Sequence, residues 1–266
     1  MAVAHAHGPV RAARPAPAAA RPQDPVSALP AHLAVPALLG FVAVVVATPW
    51  SLAPAFAGYA ALLVAVAVLA RVRPAALLRR MLVEVPFVVF ALLLPFVATG
   101  PRTEVLGVAV SSSGLAAAGA LLAKGTLGVA ASVLLALTTP PRELLLGLRR
   151  LRVPPLLVEI ASFMVRYGDV VLAEMRRMRV ARASRGFQAR HLGHAPVLAR
   201  SAGALFVRSY ERGERVHLAM LSRGWTGSMP VLDEAPTRRA DALRAALLPA
   251  GALAVLLATA LATTLA

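Results

Sequence analysis

Five apolar runs, at about 33–49, 54–70, 81–98, 115–137 and 242–265, are each close to the length of a bilayer-crossing helix. A helix needs about 20 residues to cross the hydrocarbon core, and in that solvent its backbone polar groups must be bonded within the segment. The runs therefore predict transmembrane helices, and the fold class is all-α, a polytopic membrane protein. Composition agrees: 59% of residues are hydrophobic and 15% charged, too apolar for an ordinary soluble domain. The first run follows Arg11, Arg14 and Arg21 and precedes small residues, as a signal peptide would. The second run starts almost at once, which favours an uncleaved span.

Arginine placement sets the orientation. Residues 1–30 are rich in Ala, Pro and Arg without apolar period, a composition that predicts a disordered tail. Arg71, Arg73, Arg79 and Arg80 lie between the second and third runs, and the segment after the fourth is densely basic. The loops around Trp50 and over 100–114 offer only Arg102. Five spans with the amino terminus inside and the carboxyl terminus outside put the arginines on the cytosolic side of a bacterial inner membrane. The net charge of +16 then faces anionic headgroups or an acidic partner. Nucleic acid fits poorly, because the basic residues are threaded through apolar helices and not laid among exposed aromatics. The organisation expected is a tail over 1–30, transmembrane helices 1–4 over 31–137, a cytosolic region over 138–241 and a final transmembrane helix over 242–266.

The cytosolic region carries the most specific pattern. Pro140-Pro141 and Pro154-Pro155 interrupt helices, since proline lacks the amide donor and restricts the residue before it; a short amphipathic helix fits between them. Beyond the second pair, Leu157, Ile160, Met164, Tyr167, Val171, Met175 and Met178 recur at three- and four-residue steps, one face of a long helix. Leu198, Ala202, Leu205, Ser209, Val216 and Met220 form a second, less regular stripe. Each helix closes on the same tetrad: Ser184-Arg185-Gly186-Phe187 and Ser222-Arg223-Gly224-Trp225. Arg185 and Arg223 each fall seven positions beyond a stripe residue, Met178 and Val216, and so continue the apolar face. Glycine just past a helix end and arginine in its last turn are ordinary capping choices. Two copies, each followed by an aromatic, point further, to guanidinium forks held out for a partner's carboxylates or carbonyls.

Other chemistry is thin. With no cysteine, thiolate metal sites are absent, and no Gly-rich lysine motif is present to hold a nucleotide phosphate, so the chain cannot supply its own ATPase. His5 and His7 in the tail make a weak metal site, and His191 and His194 read as solvated linker residues. Lys124 stands near the middle of the fourth run, where an ionisable group is costly unless it faces protein or water. Glu84 is expected near the cytosolic start of its span, within reach of water. A membrane-embedded phospholipid or phosphate transferase using Asp169 and Glu174 is the alternative of a different class, although such sites cluster more acids than these two.

The run from Ser209 to Trp225, preceded by that from Glu174 to Phe187, resembles the transmembrane T component of energy-coupling-factor (ECF) importers, most closely the cobalt-type subgroup. The resemblance implies a non-enzymatic scaffold with no cofactor, whose two coupling helices dock on two ATP-binding cassette ATPase subunits and tilt a separate substrate-binding (S) subunit in the bilayer. The docking residues it implies are Ser184, Arg185, Gly186, Ser222, Arg223 and Gly224, with serine where the family's commoner signature has alanine. Lys124, Met164, Met175, Met178 and Met220 are the expected contacts to the S subunit, thioethers being easily repacked. The cargo implied is cobalt, with nickel or a vitamin as alternatives.

Overall fold

The computed structural model describes residues 29–105, 108–188, 191–227 and 238–265. The tail expected to be disordered, with His5 and His7, lies outside the described residues apart from Leu29 and Pro30. Among the described residues, the helices are α1 (Ala31–Ala47), α2 (Ala53–Leu69), α3 (Pro74–Met81), α4 (Val85–Val97), α5 (Ser112–Thr138), α6 (Pro141–Arg150), α7 (Pro155–Ser184), α8 (Ala195–Leu221) and α9 (Arg239–Leu265). Four helical segments are long and apolar enough to cross a membrane: Trp50–Leu69, Pro74–Val97, Ser112–Thr138 and Arg239–Leu265. At 17 residues, α1 is the short one, at the lower edge of what spans a bilayer. The chain is an all-α multi-pass membrane protein.

One stretch departs from that plan. Residues 100–114, expected as a loop, contain an antiparallel pair, β1 (Arg102–Val105) and β2 (Val108–Ser111), in the register Arg102↔Ser111 to Val105↔Val108. Between two spans, an irregular segment leaves amides to be satisfied, and pairing it with itself does so. The Ser111 hydroxyl then accepts from the Gly114 amide and caps α5.

The core lies where α1, α2, α5 and α9 meet. Phe41, Val45, Phe56, Tyr59, Leu127, Ala131 and Ala252 are buried there, and Tyr59 meets Phe41 and Phe56 edge-on at 6.2 and 6.0 Å. The Thr48 hydroxyl donates to the Val44 carbonyl, so the buried Tyr59 hydroxyl is the donor in their 2.8 Å contact. Small residues set the helix spacing: a Cβ on Gly58 would stand 2.6 Å from Val255 Cγ1, on Gly40 3.1 Å from Pro249, and on Gly251 3.3 Å from Leu62. These contacts press α9 into the groove between α1 and α2, the close approach that small residues permit between membrane helices. Phe87, Phe90, Leu92, Phe96, Leu253 and Leu257 stay more than half or nearly half exposed on the outside, as expected where lipid is the solvent.

α6 packs on the start of α1, where a Cβ on Gly147 would lie 2.7 Å from the His32 amide. Arg142, Arg149 and Arg150 of α6 thus share one end of the bundle with the start of α1 and, across the cavity described below, with Arg244 of α9. Two buried-side contacts correct or refine the sequence reading. Glu84 does not reach water: it is 5% exposed, and its Oε1 accepts from the Thr126 hydroxyl of α5 at 2.7 Å. It sits in the 3₁₀ turn Leu82–Glu84 that joins α3 to α4, because the span begins at Pro74 and not near Met81, which carries Glu84 deeper. Lys124 donates to the Val46 carbonyl at 2.7 Å, in the last turn of α1, where carbonyls have no intrahelical partner.

Candidate docking surface

α7 and α8 extend from the bundle with little of their surface covered; Val158 is the buried residue of α7, and α8 has none. Proline starts both: Pro155 is the first residue of α7 and Pro196 the second of α8, positions whose amide would be unpaired in any case. The two helices run antiparallel. Arg208 of α8 donates to Glu174 Oε1 at 2.8 Å, and Arg177 donates to Glu174 Oε2 at 2.8 Å. On one side of this clasp, Phe163, Arg166 and Tyr167 of α7 face Val216, Met220 and Arg223 of α8 across a groove of about 890 Å³. On the other, Arg179, Arg182 and Phe187 face Leu198 across one of about 560 Å³.

The hydrogen bond from Arg177, then the charge of that guanidinium and the contact with Arg208, hold the Glu174 carboxyl below the usual carboxylate range, against the opposing pull of partial burial. As the ionised acceptor of two guanidiniums, Glu174 is occupied in the hairpin, while Asp169 stands exposed on the same helix.

The two tetrads adopt one geometry. Phe187 N donates to the Arg182 carbonyl and Gly186 N to that of Ala183; Trp225 N donates to the Met220 carbonyl and Gly224 N to that of Leu221. Both are Schellman caps with glycine in the left-handed region, φ 75° at Gly186 and 79° at Gly224. The serines match as well, Ser184 and Ser222 each donating to the carbonyl three residues back at 3.0 Å. Arg185 and Arg223 are therefore equivalent C-cap residues, both exposed. The structure does not bring the six tetrad residues into one site. It sets the two caps at opposite ends of the hairpin, with about 20 residues of α7, or about 30 Å, between the level of Arg223 and Arg185.

The methionines divide. Met164 and Met175 are 70% and 50% exposed, whereas Met178 and Met220 are half-buried, Met220 on the groove with α7. Leu157, Ile160, Met164 and Met175 of the α7 stripe are exposed, while Tyr167, Val171 and Met178 are half-buried, so each stripe is partly covered within the described residues. Lys124 lies apart, within the bundle. Several contributors escaped the sequence reading. His217 meets the Trp225 ring edge-on at 5.7 Å, and the Trp225 Nε1 is buried without an acceptor among the described residues. Phe187 lies 5.1 Å from His194, which in turn lies 3.8 Å from His191, so the linker histidines pack on the first cap. Glu174 and Arg177 stand at an i,i+3 spacing that local sequence carries, but the clasp to Arg208 exists only once the hairpin forms.

The sequence model of a family described as CbiQ, cobalt transport protein, matches residues 25–232, which include both caps. Among curated proteins, a cobalt transport protein CbiQ of Rhodobacter capsulatus is 34% identical over 136 residues, 49% of this chain and 53% of that protein. An uncharacterised protein of Methanocaldococcus jannaschii is 33% identical over 105 residues, 40% and 39% of the two chains. A putative fused cobalt transport protein CbiMQ of Methanocorpusculum labreanum is 26% identical over 125 residues, 47% of this chain and 21% of that one. The chain thus spans about half, or less, of the length of these relatives.

Proposed function

The chain belongs to the CbiQ family of cobalt transport proteins, and on that premise we propose that it is the T scaffold of an ECF-type importer, with the caps of α7 and α8 as its docking points. One observation carries the reading: two caps alike in every backbone bond, each holding out an arginine, stand at opposite ends of one hairpin. Two equal ends suit two equal partners, a pair of ATP-binding cassette ATPase subunits. A stiff lever needs closed helix ends, and the Schellman bonds close them where force would enter.

The exposed part of the α7 stripe, with Met164 and Met175 outermost, is the surface offered to the membrane-embedded S subunit; Met178, Met220 and Lys124 are secondary contacts. In this scheme the chain does no chemistry of its own and transmits work done by the ATPases, from the cytosolic face of a bacterial inner membrane. Cobalt is the favoured cargo because two relatives carry it in their names. The S subunit that co-purifies with the chain distinguishes cobalt from nickel or a vitamin.

Charge reversal tests the docking. Placing a carboxylate where a desolvated guanidinium was bound costs roughly 2–5 kcal/mol. Arg185→Glu and Arg223→Glu are each expected to lower ATPase recovery on affinity purification and to abolish metal uptake, while exposed Arg212→Glu leaves both intact. A double variant that keeps its ATPases and its uptake reduces the two tetrads to helix caps.

A further inference from the structure

We propose that the cavity at the arginine-rich end of the bundle binds one anionic phospholipid, with an acyl chain between α1, α2, α5 and α9 and the phosphate on Arg244. The cavity measures about 430 Å³, within the range of sites that hold small ligands. Its walls are Leu38, Leu62, Ala131 and Leu248, and Thr138 and Arg244 stand among its lining residues at the helix ends. From Ala131 to Thr138 it follows two turns of α5, a depth of about 10 Å. An apolar slot that enters a bundle from its basic end, with a hydroxyl and a guanidinium at the entrance, has the polarity order of a lipid in the inner leaflet.

Charge selects the occupant. Among the described residues of the lining, Arg244 is the charged one. Arg244 stands in an i,i+3 ion pair with Asp241 at 3.6 Å, beyond hydrogen-bond length, so most of the five donors of its guanidinium are open to a phosphate. The chain's own tail, which leads into Leu29 at the cavity, is a poor plug: residues 1–28 carry Arg11, Arg14 and Arg21 against Asp24. A second copy of the chain, at net charge +16, would bring like charge to the same end. An anionic headgroup matches this end where either of those repels it, and juxtamembrane arginines favour acidic lipids in the same way.

The full chain, exchanged into nanodiscs of phosphatidylglycerol or of phosphatidylcholine, then released and weighed by native mass spectrometry, is expected to keep one phosphatidylglycerol and to lose phosphatidylcholine. Arg244→Gln is expected to lower that retention severalfold. Ala65→Phe fills the slot from an exposed wall residue and is expected to abolish retention with the helical content unchanged. A phosphatidylglycerol with a photoreactive acyl chain should label peptides of α1, α2, α5 and α9 at the cavity in the unaltered chain. Equal retention of the two lipids, retention unaffected by Ala65→Phe, or labelling confined to the outer faces overturns the proposal. So does a cross-link joining a residue of 1–28 to the cavity wall, which would make the tail the occupant.

Discussion

Two glycines and one threonine carry more than their size suggests. Gly186 and Gly224 have open space around their absent Cβ atoms, so the cost of a side chain there is conformational alone. Gly224→Ala is expected to destabilise the end of α8 by about 1–2 kcal/mol, seen as faster amide hydrogen exchange over 218–225 with α7 unchanged; unchanged exchange would mean that the cap is not holding the end. Thr126→Val keeps the shape of the α4–α5 contact but leaves the Glu84 carboxyl buried without its donor. A loss of about 1–3 kcal/mol is expected in thermal unfolding of the detergent-solubilised chain, and Thr126→Ser should recover most of it. The caps were legible as sequence because a left-handed turn demands glycine and the tetrad repeats. The Glu84–Thr126 bond was not, since 42 residues separate its ends and nothing local marks them as partners.

At the scale of elements, the α7–α8 hairpin depends on an ion pair whose sign with pH is fixed. The Glu174 carboxyl titrates lower when folded than when free, so its contribution is fully present above the ordinary carboxylate value and is lost as pH falls through the lowered one. Spin labels at Val170 and Arg212 should report one narrow distance at neutral pH that broadens in acid, and Glu174→Gln should broaden it at every pH. A narrow distance in the variant would move the clasp elsewhere, to the apolar contacts of Tyr167 and Met220. The amphipathic faces of both helices were readable from their three- and four-residue steps, but what covers them was not. Leu157, Ile160, Met164 and Met175 are as apolar as core residues and lie exposed, and nothing local in their spacing distinguishes them from the half-buried Tyr167 and Val171 of the same stripe. The β1–β2 pair escaped for the opposite reason: four-residue strands between two spans give too short an alternation to stand out from a loop.

For the whole molecule, hydropathy made the all-α membrane plan legible, because the bilayer demands long apolar helices and leaves little else open. Neighbours were less so; no local signal says that the last helix lies against the first two. The proposed orientation puts the turn at Ser51 outside and the first cap inside. Ser51→Cys is therefore expected to react with an impermeant maleimide in intact cells, and Gln188→Cys only after lysis; the reverse pattern would invert the molecule. The seating of α9 against Gly40 and Gly58 also has a consequence for how the protein is made. About 170 residues separate the end of α2 from the start of α9, roughly 10–30 s of translation. Through that interval the newborn α1 and α2 are apolar helices whose glycine faces have yet to meet α9, open to any small-residue helix that drifts past. A message cut short before Arg239 would leave them in that state for good, and the quality-control machinery of the membrane would meet a chain with a vacant seat.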